Sequence, residues 1–214
     1  NTCFMKKYIA FDLGAGSGRS IVGSLDNNKL TLEELTRFNN EMTFVRGHYH
    51  WDIYKLFDEL KNSLKTFITK EKASPESIAV DTWGVDYGLL ASDGNLLGIP
   101  YAYRDARTDG MMEEFFRLVP REKVYSLTGI QFMQLNTLFQ LFAAKRMNNS
   151  WLQHASDLLF IPDLLNYFFT GIKRTEFSFA TTSQLFNPNT RSWEKSLFDA
   201  MDVPVQIMQQ ITMP

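Results

Sequence analysis

The sequence predicts an α/β fold in which a mixed sheet with an N-terminal antiparallel hairpin is flanked by helices. Strand-like apolar runs lie before residue 100, whereas helical periodicity prevails after Arg107. The 214 residues carry a formal net charge of −2 and are 44% hydrophobic, a composition typical of one large or two small globular domains. This balance argues against a disordered chain and against a general nucleic-acid binder.

The first predicted strand covers residues 6–13, a short apolar run bounded by glycines. Residues 19–25 and 30–38 are two further strand-like runs, separated by an Asp/Asn turn at residues 26–29. We therefore expect these three strands to be antiparallel neighbours, with the first leading through the glycine turn into the second.

The clearest helix begins after Asp52, which is placed to cap it. Apolar residues recur there at three- and four-residue spacing over residues 53–68. Pro75 then breaks the pattern before a second buried strand at 77–81. A hairpin is expected over residues 87–99, because two apolar runs there flank an Asp-Gly-Asn turn.

The remainder of the chain is predicted to be mostly helical. The predicted helices cover residues 111–118, 122–127, 138–147 and 163–169, separated by Pro120, Gly129, Pro162 and Gly171. The sequence contains no internal repeat and no composition shift that would mark a linker. We therefore expect residues 6–214 to form one domain.

Residues 12–19 (DLGAGSGR) are the most informative stretch. Glycines allow backbone N–H groups to converge on a phosphate, and Ser17 and Arg19 can add further donors. Asp12, at the end of the strand, could orient a hydrated cation. The plainer interpretation is a tight turn between two strands.

Three other nucleotide-type motifs fit this loop less well. Arg19 occupies the position at which a Walker loop requires Lys and a Rossmann fingerprint requires a third glycine. The first motif of S-adenosylmethionine methyltransferases resembles the glycine spacing closely, but that loop must lead into a helix. Here it leads into the strand at 19–25, so the hairpin disfavours a methyltransferase.

A strand, a glycine turn and a second strand resemble the first phosphate motif of the actin, Hsp70 and sugar-kinase superfamily. Further motifs follow in order over nearly the whole chain. They are DTWGVDYG (81–88), PYAYRDART (100–108), TGIQF (128–132), LNTL (135–138), PD (162–163) and ATTSQL (180–185). Together they resemble the FGGY carbohydrate kinase family, and within it the rhamnulokinase branch.

This resemblance implies a ribonuclease-H-like (actin-like ATPase) domain over residues 6–214. It also implies an enzyme that transfers the ATP γ-phosphoryl group to the C1 hydroxyl of L-rhamnulose. In this family the general-base aspartate and most of the adenine site belong to a second domain, expected beyond Pro214. The chain alone is therefore expected to be inactive, and we assign it no catalytic residue. Alternatives are a kinase for another ketose or a polyol, or a non-catalytic sugar- or nucleotide-binding module.

The resemblance also implies the site residues. The ATP-binding positions are Asp12, Gly14, Ala15, Gly16, Ser17, Gly18 and Arg19, with Asp12 also positioning Mg²⁺ through water. The sugar positions are Trp83, Gly84, Asp86, Tyr103, Arg104, Asp105, Gln134 and Asn136. Among these Gly84 is the position that lies against the sugar in the family pattern, whereas the others could build an apolar wall with hydrogen-bonding groups around it.

Several of these residues also have plainer interpretations. Trp83 could fill the core, Asp105 could pair with Arg107, and Asn136 could cap the helix near residue 138. The pair His48 and His50 has no nearby Cys or further His and is weak evidence for a metal.

The single cysteine, Cys3, cannot form an internal disulfide, which favours a reducing compartment. No stretch approaches 18 consecutive apolar residues, and no signal-peptide core follows the two N-terminal lysines. We therefore expect a cytoplasmic protein without a membrane span, whose partners are ATP, a small sugar and the second kinase domain of the same chain.

Overall fold

The computed structural model describes residues 6–213, which divide into two compact units. The first, here called the sheet unit, contains residues 6–42 and Asp52–Trp83. The second, the helical unit, contains Thr43–Trp51 and residues 84–213. Cys3 lies outside the described residues.

Among the described residues, five strands precede the first helix, and the second to fifth helices follow one another without an intervening strand. The strands are β1 (Lys6–Leu13), β2 (Ser17–Asp26), β3 (Lys29–Asn39), β4 (Met42–Val45), β5 (His48–Trp51), β6 (Ser77–Thr82), β7 (Tyr87–Leu90), β8 (Asp157–Phe160), β9 (Thr175–Glu176), β10 (Phe186–Asn187), β11 (Ser192–Trp193) and β12 (Ile211–Thr212). The helices are α1 (Ile53–Glu71), α2 (Met111–Phe115), α3 (Arg121–Thr128), α4 (Thr137–Arg146), α5 (Ser150–His154), α6 (Ile161–Thr170), α7 (Phe177–Thr182) and α8 (Lys195–Met201).

The sheet unit contains a four-stranded mixed sheet with the order β3-β2-β1-β6. β1 and β2 are antiparallel, as are β2 and β3, while β6 pairs with β1 in parallel. One face of β1 is buried through Ile9, Phe11 and Leu13. The predicted antiparallel arrangement of the first three strands and the mixed sheet are confirmed.

Helix α1 packs in the sheet unit through the apolar face that its periodicity predicted. The carboxylate of Asp52 accepts the N–H of Lys55 at 3.0 Å, so the predicted cap is present. The hydroxyl of Thr36 bonds to those of Ser20 and Ser63, at 2.7 and 2.5 Å, which joins β3 to β2 and to α1.

The hairpin expected over residues 87–99 forms only in part. β7 forms as predicted, but its strand partner is the distant β8. The returning residues form an isolated bridge between Leu90 and Leu96 and two backbone hydrogen bonds, from the N–H of Leu97 to the Leu89 carbonyl at 2.7 Å and from the N–H of Ala91 to the Asn95 carbonyl at 2.8 Å. Gly98, with φ +71°, and Pro100 end the extended run, while all of β7 is buried and requires a full partner.

The helical unit has an apolar core that includes the fully buried rings of Phe115, Phe139, Phe160 and Phe198. Helices α3, α4 and α6 lie close to their predicted positions, whereas α2 ends at Phe115, earlier than expected. Within residues 6–213, no helix is both long enough and apolar enough to cross a bilayer.

Candidate functional site

The glycine turn, residues 14–16, joins β1 to β2 and is closed by its own backbone. The N–H of Gly14 donates to the carbonyl of Ser17 at 2.8 Å. Asn40 fixes the turn from the end of β3, because its side-chain amide donates to the Gly14 carbonyl at 2.8 Å and its N–H to the Gly16 carbonyl at 3.2 Å. Asn40 is buried, whereas Gly14 and Gly16 are exposed, so the turn is fixed from its inner side and open to solvent on the other.

The glycines of this segment serve different purposes. None of Gly14, Gly16 and Gly18 has a positive φ, so the turn does not need glycine for a left-handed conformation. A Cβ on Gly18 would lie 2.4 Å from the ring of Phe38, so this position must be small for packing. A Cβ on Gly16 would meet nothing within 4 Å. Gly16 therefore exposes backbone that a ligand can approach closely.

A row of four charged side chains crosses the sheet beside this turn. Pairing register aligns Arg37 on β3 with Arg19 on β2, then Asp12 on β1 and Asp81 on β6. Paired residues on neighbouring strands share a face of the sheet. Arg19 binds Oδ2 of Asp12 through both Nε and Nη2, each at 2.8 Å. Two cations and two anions thus stand side by side on one face.

A depression of about 220 Å³ opens at this place. Its lining residues are Asp12, Gly14, Ser17, Arg19 and Arg37. The structure brings together four of the predicted ATP-binding positions and adds one that the motif did not predict. Ala15, Gly16 and Gly18 do not line it.

The donors around this depression suit a phosphate chain. A hydroxyl, a guanidinium and exposed glycine backbone are the groups that commonly bind phosphate oxygens. The described residues contain no group of three His, Cys, Asp or Glu side chains placed to hold a metal directly. Asp12, the carboxylate among the lining residues, suits a Mg²⁺ ion that keeps most of its waters and its phosphate ligands.

In the helical unit, two of the predicted sugar residues are buried carboxylates that bind protein groups. Asp86 accepts from Trp51 Nε1 at 2.6 Å, from Gln140 Nε2 at 2.8 Å and from the N–H of Tyr103 at 3.0 Å. The N–H of Asp86 in turn donates to the carbonyl of Gly84 at 3.0 Å. Asp86 therefore fixes the backbone at two other predicted sugar positions.

Asp105 is bound in a similar way. Its carboxylate contacts His48 Nδ1 at 3.0 Å and accepts the N–H of Tyr49 at 2.7 Å and of Arg107 at 3.1 Å. The Nε of Arg107 lies 3.9 Å from Asp105, so the expected structural pair is present at ion-pair distance. The guanidinium of Arg107 also bonds to Gln140, which connects the surroundings of Asp105 to those of Asp86.

The predicted sugar residues Trp83, Gly84, Arg104 and Gln134 are more accessible to solvent than Asp86 and Asp105. Arg104 is exposed and donates to the hydroxyl of its neighbour Tyr103 at 3.3 Å. Gln134 is exposed and donates to Asp109, while Trp83 and Gly84 are half-buried. Within residues 6–213, Gln134 forms no hydrogen bond to Asp86 or to the groups that Asp86 binds. A Cβ on Gly84 would lie 3.3 Å from Thr182 Oγ1.

Asn136 precedes α4, as expected, but its side chain does not cap the helix. Its amide instead donates to the carbonyl of Gln131 and to Oε1 of Gln184, both at 2.9 Å. The capping interpretation therefore holds for the position of Asn136 and is wrong for its side chain. The reason is that the amide is buried and satisfies a carbonyl and an amide oxygen that would otherwise lose these bonds.

The domain described as "FGGY family of carbohydrate kinases, N-terminal domain" matches residues 7–213. The chain belongs to the FGGY family of carbohydrate kinases. A rhamnulokinase from Bacteroides thetaiotaomicron is 44% identical over 209 residues, covering 98% of this chain and 43% of that protein. A rhamnulokinase from Mannheimia succiniciproducens is 43% identical over 207 residues, with 96% and 43% covered.

Solved structures of FGGY kinases share the fold. The ligand-bound xylulose kinase from Lactobacillus acidophilus superposes with a TM-score of 0.86 at 18% identity, covering 98% of this chain and 42% of that one. The glycerol kinase of Plasmodium falciparum with ADP gives 0.81 at 16% identity, with 97% and 43% covered. The predicted actin-like fold is confirmed. The chain spans about 43% of the length of the curated relatives it matches.

Proposed function

We propose that this chain is the N-terminal part of an ATP-dependent kinase that transfers the γ-phosphoryl group to the C1 hydroxyl of L-rhamnulose. The observation that carries this proposal is the 44% identity to a rhamnulokinase over 98% of the chain. The solved xylulose and glycerol kinases share the fold at only 16–18% identity, so they support no other sugar more strongly. A single cysteine in the sequence supports a cytoplasmic location.

The ATP phosphates bind at the glycine turn in this proposal. Gly14, Ala15, Gly16 and Gly18 shape a backbone that lets phosphate oxygens approach, and Ser17 and Arg19 donate hydrogen bonds to them. Phosphoryl transfer depends on positioning and on charge stabilisation more than on covalent help from the protein. A bound Mg²⁺ supplies neutralising charge on the phosphates. Asp12 would hold that ion through its waters, and the same carboxylate binds the guanidinium of Arg19.

The sugar binds in the helical unit at the backbone of Gly84 and the side chains near it. Tyr103 and Arg104 are accessible and can contact the ring and its hydroxyls. Asp86 and Asp105 hold the residues of that surface in position, because their carboxylates accept hydrogen bonds from protein donors and not from the sugar. We include Trp83, Gln134 and Asn136 in the proposed sugar set because they lie in or beside the motifs that resemble the family and could add an apolar wall and hydrogen-bonding groups.

The proposed parent enzyme contributes the general-base aspartate and most of the adenine site from beyond Pro214. Without that base and without a closed cleft, the isolated chain is expected to show no L-rhamnulose-dependent ADP release above background. A coupled ADP assay on the purified chain measures this, with the parent enzyme as the positive control. Sugar-dependent turnover by the chain alone would reject the assignment of the base to another domain.

Variants of Gly84 and Asp12 in the parent enzyme are expected to change different kinetic constants. Gly84→Leu places a side chain where the sugar approaches, so the KM for L-rhamnulose should rise while ATP binding persists. Asp12→Ala should lower kcat about 10²-fold at saturating sugar, because the metal and phosphates are less well positioned.

Calorimetric titration of each variant with sugar and with nucleotide separates these effects, and xylulose and glycerol serve as comparison substrates. Parallel losses of both affinities, together with a lower melting temperature, would mean that the two residues only stabilise the ends of their strands. Turnover of xylulose or glycerol in preference to L-rhamnulose would replace the proposed substrate with another ketose or a polyol.

A further inference from the structure

Arg37 lies on the edge strand β3, outside the motif that indicated a phosphate site. It nevertheless lines the same depression as Asp12, Ser17 and Arg19, and its register partner is Arg19. We propose that Arg37 is a second phosphate-binding arginine, which acts with Arg19 on the polyphosphate chain of the nucleotide. This inference rests on the proposed kinase function and adds a residue from a different strand to its phosphate site.

An irregularity in β3 directs Arg37 and Glu34 to the same face. In a regular strand, residues three apart point to opposite faces of the sheet. Here Ser20 pairs with Thr36 while Ile21 pairs with Glu34, so one extra residue is inserted in β3. A bulge of this kind shifts the alternation by one position. Glu34 can therefore reach Arg37, and both residues lie beside Arg19.

The carboxylate of Glu34 contacts both Arg37 and Arg19. Arg37 donates to it through Nε at 3.0 Å and Nη2 at 2.5 Å, in the two-pronged arrangement that guanidinium groups form with carboxylates. Arg19 Nη1 lies 3.9 Å from the same Oε2 atom. Arg37 lowers the pKa of Glu34 by this hydrogen bond, so the carboxylate is ionised. An anion thus already bridges the two guanidiniums.

A phosphate has the same recognition chemistry as this carboxylate and carries more charge. The fork of a guanidinium fits two phosphate oxygens as well as two carboxylate oxygens. Arg37 is exposed, and its side chain can turn from Glu34 toward a ligand in the depression. A polyphosphate at the mouth of the glycine turn carries enough negative charge to bind both guanidiniums in place of Glu34.

The competing explanation is that Arg37 only forms an exposed ion pair on an edge strand. Such pairs contribute little to stability, and they give no reason for the residue to line the depression. The two explanations differ in one respect. If the ion pair alone matters, removing either partner has the same effect. If Arg37 binds phosphate, only the loss of the arginine weakens binding.

The test is calorimetric titration of the chain with tripolyphosphate in excess Mg²⁺ at low ionic strength, where screening is weak. Arg37→Gln is expected to weaken binding roughly tenfold, and Arg37→Lys by less, because the charge remains but the fork is lost. Glu34→Gln breaks the same ion pair and should not weaken binding. Arg146→Gln is the matched control, since Arg146 forms a comparable exposed pair with Glu114 at 2.5 Å.

Equal losses in Arg37→Gln and Glu34→Gln, or an unchanged affinity in Arg37→Gln, would overturn the inference. Arg19→Gln separates this result from the proposed function. Loss of binding in Arg19→Gln with none in Arg37→Gln would reject only the role of Arg37. A wild-type chain that fails to bind tripolyphosphate would reject the phosphate site itself. Melting curves for each variant verify that it is folded.

Discussion

Replacing Asp163 with asparagine is expected to raise the free energy of unfolding at pH 8 by roughly 2–4 kcal/mol. Asp163 lies in the first turn of α6 and is 6% exposed. Burial, with a smaller contribution from the nearby Glu176 charge, raises its pKa to about 7. Oδ1 accepts the N–H of Glu176 at 3.2 Å, but Oδ2 has no hydrogen-bond partner among the described residues.

The pH dependence of this effect follows from the direction of the pKa change. The folded chain holds a proton on Asp163 up to about pH 7, whereas the unfolded chain releases it near the ordinary value of 3.8. The folded state therefore binds more protons between these values, so stability falls as the pH rises through this window and levels off above it. A difference of about 3 units sets an upper limit of about 4 kcal/mol.

Asparagine removes the titrating charge and adds a donor. Its carbonyl oxygen keeps the Glu176 N–H, and its uncharged amide takes the place of a carboxylate oxygen that has no partner among residues 6–213. Urea unfolding of the chain from pH 4.5 to pH 8 measures the change. Asp199→Asn, at an exposed ion pair, is the control and should leave the pH dependence unchanged. A variant as pH-dependent as the wild type would refute this account.

Long strands and helices with a clear periodicity of apolar residues were predictable from the sequence. β1 to β3 and α1 show alternating or helical apolar spacing together with turn or cap residues, and each forms where the pattern places it. The two-residue strands β9 to β12 are too short to show a period. β8 was missed for another reason, since its pairing with β7 joins segments about 70 residues apart, and local apolar patterning does not specify such a partner.

The candidate site was predictable where it follows a contiguous motif. The glycine turn with Asp12, Ser17 and Arg19 could be read directly from residues 12–19. Arg37 and Asn40 could not, because their proximity to the turn depends on strand register and on the bulge in β3. Polarity alone also cannot distinguish a carboxylate that faces a ligand from one, such as Asp86, that is buried among protein donors.

Asp86→Ala is expected to lower the free energy of unfolding by about 2–5 kcal/mol, because each buried donor that loses its acceptor costs about 1–3 kcal/mol. The carboxylate is 1% exposed and accepts from Trp51, from the backbone of Tyr103 and from Gln140. Gln140 keeps further bonds to Val85 and Leu135, so the cost arises mainly from the Trp51 and Tyr103 donors.

Asp86→Asn separates charge from shape at this position. One amide oxygen can still accept from Trp51 and Tyr103, but the amide nitrogen then faces Nε2 of Gln140, and two donors cannot bond to each other. We therefore expect a smaller loss than for alanine, of about 1–2 kcal/mol, from one broken hydrogen bond. Arg104→Ala is the control, because this exposed residue donates a long hydrogen bond to the hydroxyl of its neighbour Tyr103 and should change stability by less than about 0.5 kcal/mol. Urea unfolding at constant pH gives all three values.

The alternative is that Asp86 acts only as a sugar ligand. Asp86→Ala will then unfold like the wild type and lose only affinity for L-rhamnulose, and the supporting role described for this carboxylate will be wrong.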